Sequence, residues 1–237
     1  MRFDVISLFP SAFEALSVSK IWTQALEKKS VELVVHDLRS FGVGPHKIVD
    51  DAPYGGGEGM LLKLEPLVAA LESIERKKSS LVLCMSPQGE TFSQGLAQDL
   101  SKIDQLILIC GRYEGFDERF IEHWVDQCIS IGDYVLTGGE LPAMVMMDAI
   151  SRHLPGVLGA EQSLHNDSLS RGGLKYPQYT RPESFRGHKV LKVLLSGHHG
   201  NIELWRQEKS ELRTLQKRPD LLESLIAKNT GLKKLKK

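Results

Sequence analysis

Five short apolar runs, each set off from the next by polar or helix-spaced sequence, constrain this chain more than any other feature. They are FDVISLF (3–9), VELVVHDL (31–38), LVLCM (81–85), IDQLILIC (103–110) and QCISI (127–131). Runs of this length, rich in Val, Ile and Leu, suit strands buried on both faces. Pro10 opens a helical segment whose apolar face holds Phe13, Leu16, Ile21, Trp22 and Leu26. A second helix has Pro66 in its first turn and Leu67, Ala70, Leu71 and Ile74 as its face, and a long apolar helix spans 141–154. Strands alternating with helices predict an α/β fold with a mainly parallel sheet. At 237 residues the chain holds one sizeable core, or a larger domain with a small one beside it.

The segments that leave three of these strands share a chemistry. They are SPQGE (86–90), GRYEGFD (111–117) and IGDYVLTGGELP (131–142), all at carboxyl ends of strands, where open α/β sheets bind ligands. In the last, Gly132, Gly138 and Gly139 are read as residues taking backbone angles closed to others. Pro142 sits near the first turn of the following helix, where a missing N–H costs little. The stretch contains no Lys or Arg, whereas polyphosphate sites supply cationic side chains as well as amides. A small-molecule pocket for a ligand other than a polyphosphate is the expectation. A nucleotide-using α/β enzyme is disfavoured because no Gly-x-x-x-x-Gly-Lys-Ser/Thr run exists, and a Rossmann-type domain because the glycines at 55–59 do not directly follow a predicted strand.

Formal charge is balanced overall but not along the chain. Residues 1–170 carry 14 Lys+Arg against 24 Asp+Glu, net −10; residues 171–237 carry 16 against 6, net +10. The basic part is a candidate for a polyanion, with the final LKKLKK read as a solvated tail. Gly197 and Gly200 precede an amphipathic helix containing Ile202, Leu204, Trp205 and Leu212, with Trp205 taken as core, and Pro219 restarts a shorter helix. Cys84, Cys110 and Cys128 lie inside apolar runs with no Cys-x-x-Cys spacing, which reads as reduced, buried thiols of a cytoplasmic protein. The first residues carry acids within their apolar stretch and no small-residue cleavage site, so a signal peptide is not expected. No apolar run approaches the roughly 20 residues of a membrane helix.

Seven motifs in order then carry a resemblance over nearly the whole chain: DDAPYGGGEGM (50–60), SPQG (86–89), GRYEGFDER (111–119), IGDYVLTGGELP, SRHLPGVLG (151–159), YTRPE (179–183) and LLSGHHGNIELWR (194–206). The sequence resembles the bacterial TrmD-type tRNA (guanine-N1)-methyltransferases of the SPOUT superfamily. That resemblance implies a deep trefoil knot in the sheet, a feature otherwise almost absent from proteins. It implies a methyltransferase domain over 1–158, a linker over 159–173, and a basic, mostly helical tRNA-binding domain over 174–237. It implies S-adenosylmethionine held by Met85, Ser86, Pro87, Gly111, Tyr113, Glu114, Gly115, Ile131, Gly132, Tyr134, Leu136, Gly138, Gly139 and Pro142. The methyl acceptor that the resemblance implies is N1 of guanine at tRNA position 37, next to the anticodon. Asp167 is implied as the general base and Arg152 as the cation that stabilises charge on guanine O6.

The family's homodimer, with its site at the subunit interface, and an association with magnesium are implied as well; no metal-ligand spacing is recognisable. Arg181, Arg186, His188, His198, Asn201, Trp205 and Arg206 are expected near the anticodon arm. The run LKYPQYTRP departs from the family pattern at Lys175, Tyr176 and Gln178, which bears on those contacts. The sequence leaves two other readings open. One is an RNA-binding module without chemistry; the other is a relative that methylates a different position or a ribose hydroxyl.

Overall fold

The computed structural model describes residues 1–158, 167–170 and 172–222, which fall into two compact units, Met1–Gly159 and Ala160–Lys237. The first unit is built on a parallel sheet of β1 (Arg2–Ser7), β2 (Glu32–Asp37), β5 (Ser80–Thr91), β6 (Gln105–Cys110) and β7 (Gln127–Ser130). Their order across the sheet is β2-β1-β6-β5-β7. A separate antiparallel pair, β3 (Asp50–Asp51) and β4 (Leu61–Leu62), brackets the glycine-rich segment.

Side-chain alternation along the central strands divides the interior into two layers. Leu106, Leu108 and Cys110 of β6 join Phe3, Val5, Leu83 and Met85 on one face. That face is covered by α1 (Lys20–Glu27) through Trp22 and Ala25 and by α3 (Gln94–Leu100) through Ala97 and Leu100. The third cover is α5 (Glu140–Ser151), through Ala143, Met146, Met147 and Ile150. On the other face Ile107 and Ile109 join Ile6 and Val82 beneath α2 (Leu64–Glu72) and Phe120 of α4 (Glu118–Trp124). Strands apolar on both faces are what a covered parallel sheet requires.

One predicted element changes form. The helix expected from Pro10 to Leu26 is broken into a 3-10 stretch, Pro10–Val18, and α1, because Ser19 is extended at φ −79°, ψ 117°. The run Ser-Val-Ser at 17–19 has poor helix propensity, and the side chains of Ser17 and Thr23 bond local carbonyls instead. Ile21 consequently points outward.

At the amino-terminal end of the sheet, Asp4 is fully buried. Its carboxylate accepts from Arg2 Nε (2.7 Å) and Gln105 Nε2 (2.7 Å) and meets His36 Nε2 at 2.8 Å. Burial pushes this carboxyl up, but the hydrogen bonds to His36, Arg2 and Gln105 outweigh it and bring it to about 2.

The second unit contains a small hairpin of β8 (Ser184–Phe185) and β9 (His188–Lys189), then α6 (Lys192–Leu195) and α7 (His199–Lys217). Gly200 lies inside α7 rather than before it, and Leu204 and Leu212 are exposed. Residues 219–222 are helical after Pro219, while the LKKLKK run lies outside the described residues. Among the described residues no helix is long and apolar enough to cross a membrane.

Candidate active site

The first wall of the site is a bulge rather than a loop. Both Met85 and Glu90 of β5 pair with Ile129 of β7, so residues 86–89 are extruded from a strand that then resumes. Pro87 donates no N–H and is at home in such a bulge. A side chain at Gly89 would collide with the backbone of Cys128, which is why the strand resumes its ladder on a glycine.

The second wall follows β6. Tyr113 is held at φ +58° and Gly115 at φ +120°. A non-glycine residue in the left-handed region is uncommon and marks a backbone fixed by its surroundings. Here the surroundings are explicit: the Glu114 N–H donates to Met60 O (3.0 Å), and the Leu62 N–H donates to Gly115 O (2.9 Å). The Asp117 carboxylate then accepts from the Arg119 N–H (3.0 Å), capping α4.

The third wall is 131–142. Gly132 uses its freedom, at φ +149°. Gly138 and Gly139 do not take positive φ, which corrects the reason expected for them; they are needed for space. A Cβ on Gly139 would lie 2.6 Å from Cys110 Cα and 2.7 Å from Gly111 N, and one on Gly138 would strike Arg112 and Glu140. The Gly139 N–H donates to Gly111 O (2.9 Å), so the third wall is stitched to the second.

Together the walls enclose a cavity of about 580 Å³, within the size range of small-molecule sites. It is lined by Met85, Ser86, Pro87, Gly111, Tyr113, Glu114, Gly115, Ile131, Gly132, Tyr134, Leu136, Gly138, Gly139 and Pro142, the residues singled out in the sequence. Leu61, Gln88, Phe116, Ile121, Cys128 and Thr137 also line it and were not anticipated.

Arg112 was missed too, and it matters most. Its Nη2 meets the buried Glu140 Oε2 at 3.2 Å, its Nη1 donates to Thr137 O (2.9 Å), and its guanidinium lies 4.3 Å over the Phe9 ring. Glu140 in turn accepts from Ser7 Oγ (2.7 Å). One cation thus ties the end of β1 to the second and third walls, and its charge is matched by Glu140. The signal was present in the sequence as an acid beside a glycine pair, in a helix start destined for burial, where an acid demands a partner.

Cys84 and Cys110 are buried as expected, but Cys128 is only half-buried, because it borders the cavity; it stands directly opposite Cys84 across β5 and β7. A hydrogen bond from Cys84 holds the Cys128 thiol down at about 7, while burial pushes Cys84 and Cys110 up.

Arg152 is the C-cap of α5, in the first unit, and its backbone N–H donates to Asp148 O (3.3 Å). Beside it His153 Nε2 meets Gln94 Nε2 at 2.9 Å, and burial with the neighbouring Arg152 charge lowers the His153 pKa. Asp167 belongs to the second unit, 3.7 Å from Lys175 Nζ. Most of the expected linker, 159–166 and 171, lies outside the described residues.

In the second unit Arg181, Arg186, His188, His198 and Asn201 are exposed. Arg186 sits 5.3 Å over the exposed Phe185 ring. Trp205 is half-buried rather than core, as is Arg206, which lies 5.0 Å over Tyr176. Among the described residues no group of three or more His, Cys, Asp and Glu is placed to hold a metal ion.

Comparison with known families matches residues 1–224 to tRNA (Guanine-1)-methyltransferase TrmD. A tRNA (guanine-N(1)-)-methyltransferase of Halalkalibacterium halodurans is 54% identical over 225 residues, covering 94% of this chain and 92% of the relative. One from Brevibacillus brevis is 52% identical over 235 residues, covering 99% and 96%. One from Dehalococcoides mccartyi is 51% identical over 227 residues, covering 95% and 92%. Matches at this identity over nearly the full length, in a chain where three of the motif loops line one cavity, leave a single assignment: the chain belongs to the TrmD family of tRNA (guanine-N1)-methyltransferases.

Proposed function

We propose that the chain transfers the methyl group of S-adenosylmethionine to N1 of guanine at tRNA position 37, next to the anticodon. The observation that carries the donor assignment is the cavity's lining. It offers backbone amides, hydroxyls and apolar walls, and Arg112, the one arginine among its described lining residues, is paired with Glu140. Such a lining suits a cationic, phosphate-free ligand and would leave a polyphosphate short of cations. The residues that would hold the donor are those of the three walls, with Tyr113, Tyr134 and Leu136 partly exposed toward it. Bound there, S-adenosylmethionine supplies a methyl group activated by its sulfonium.

Guanine N1 carries a proton at neutral pH, so transfer requires a base. Asp167 takes that proton at its carboxylate. As it leaves, charge grows on guanine O6, and the Arg152 guanidinium stabilises it. Displacement at methyl needs alignment of donor and acceptor but no covalent intermediate on the protein.

The remaining parts of this reading have their own supports. A deep trefoil knot accords with β7 lying beyond β5 while Gly139, further along the chain, packs on Cys110 and Gly111 at the end of β6. A homodimer accords with Leu141 and Val145, exposed one turn apart on α5, and with Val18, exposed at the end of the 3-10 stretch that α5 packs against. Residues 174–237, net basic, grip the anticodon arm through phosphates, with 1–158 as the methyltransferase domain and 159–173 between them. The enzyme works in the cytoplasm with its tRNA. Magnesium dependence is carried by the family likeness alone, with no ligands assigned.

The roles are tested by Asp167→Ala and Arg152→Ala. Calorimetric binding of S-adenosylmethionine should be unchanged in both, while single-turnover transfer falls by about a hundredfold or more. Loss of donor binding in Asp167→Ala would make that residue structural.

A further inference from the structure

Around Asp167 the backbone forms a tight turn with a small hydrogen-bond network of its own. The Leu169 N–H donates to Gly173 O (2.7 Å), and the Lys175 N–H donates to Ser168 Oγ (3.0 Å). Lys175 Nζ returns to within 3.7 Å of Asp167 Oδ1. Among the described residues the segment that follows this turn, 172–180, forms no strand or helix, and its polar groups at Leu174 and Lys175 are met by one face of α7. The Leu174 N–H donates to Thr214 Oγ1 (2.8 Å), the Leu174 carbonyl accepts from Ser210 Oγ, and the Lys175 carbonyl accepts from Arg213 Nη1 (3.3 Å).

Thr214 is the centre of this mount. It is 2% exposed, deep in an α7 whose other residues are half-buried or exposed. Its hydroxyl donates to Ser210 O (2.8 Å), so its hydrogen is already used and a lone pair is directed to Leu174. A Cβ on Gly173 would sit 3.2 Å from Thr214 Oγ1, so the turn lies against the helix with almost no slack.

We propose that Thr214, assisted by Ser210, is a positioning residue for Asp167, fixing the turn that presents the base to the surface of α7. The inference rests on the reading of Asp167 as the base. It also gives α7 a second task. The same helix carries Arg206, stacked over Tyr176 next to Lys175, so RNA pressing on that part of α7 bears on the turn that holds the base. A displacement of about 1 Å in a reacting group is worth up to roughly a hundredfold in rate, so a mount of this kind shows in turnover.

The experiment uses the full chain, an unmodified tRNA transcript and S-adenosylmethionine, all at saturation. Thr214→Val keeps the shape and deletes the acceptor, leaving a half-buried N–H unmatched. The expected result is a single-turnover rate lower by about ten- to a hundredfold, with tRNA and donor affinities within about twofold of the parent. Thr214→Ser, which retains the hydroxyl, should restore most of the rate. In an Asp167→Ala background Thr214→Val should cost nothing further, because its effect passes through the base.

Equal losses in both backgrounds, or a Thr214→Val rate like the parent's, would overturn the proposal. Should Thr214→Val fail to fold, Ser210→Ala, which removes only the donor to Leu174 O, carries the same expectations and the same refutations. If Asp167→Ala itself turns over normally, the base assignment fails on its own and takes the mount's purpose with it.

Discussion

Gly139→Ala is the substitution whose consequence follows most directly from the structure. The position has φ −83° and ψ −6°, which alanine adopts freely, so no backbone penalty enters. The new methyl would instead lie 2.6 Å from Cys110 Cα, against the 3.4 Å at which ordinary contact begins, so about 0.8 Å must open between two stretches of backbone. Neither side is a flexible side chain: one is the end of β6, fully buried, and the other begins α5. Overpacking of this kind costs about 1–3 kcal/mol. Opening the gap also stretches the 2.9 Å bond from the Gly139 N–H to Gly111 O, worth about 1 kcal/mol more.

A total of about 2–4 kcal/mol corresponds to a melting transition lower by roughly 5–15 °C. Because the strained contact joins two walls of the cavity, affinity for S-adenosylmethionine should fall by about tenfold or more. Calorimetric titration and thermal melting read both effects. Gly95→Ala in α3 is the control, since its methyl meets only Ser93 Oγ at 3.9 Å, and it should be neutral or slightly stabilising. Parent-like donor affinity and melting in Gly139→Ala would show that the walls are not stitched as described.

Two further outcomes are expected. The Asp4 carboxyl, lowered from 3.8 to about 2, contributes stability that is fully present above pH 4 and lost as pH falls through 2. This amounts to about 2 kcal/mol, so Asp4→Asn should flatten the pH 4–2 limb of an acid-unfolding curve; an unchanged limb would contradict it. Iodoacetamide should alkylate Cys128 well before Cys84 or Cys110, with a rate that rises through about pH 7, and bound S-adenosylmethionine should slow it. Peptide mass mapping decides this, and equal labelling of the three thiols would refute the exposure and acidity assigned to Cys128.

The sheet was legible because burial on both faces leaves an unmistakable apolar run; all five predicted strands pair in parallel. The bulge at 86–89 was not, since Ser, Pro and Gly write the same local code for a loop as for an excursion from a strand that resumes. Glycine identity at 138 and 139 announced a special position without saying whether angle or space required it, and space proved to be the answer. Periodicity marked α7 as a helix, yet Leu204 and Leu212 stay exposed, because spacing reports a face and not what covers it. Arg112 and Thr214 escaped notice for a common reason. Each acts through partners distant in sequence, Glu140 and Ser7 for one and Leu174 for the other, and only folding brings them together.

The most direct measurement is incubation of the purified chain with unmodified tRNA and S-adenosylmethionine, followed by digestion and nucleoside mass spectrometry. The expected product is 1-methylguanosine, confined to the ribonuclease fragment containing the guanine next to the anticodon. A ribose-methylated nucleoside, or 1-methylguanosine mapped to another position, would contradict it.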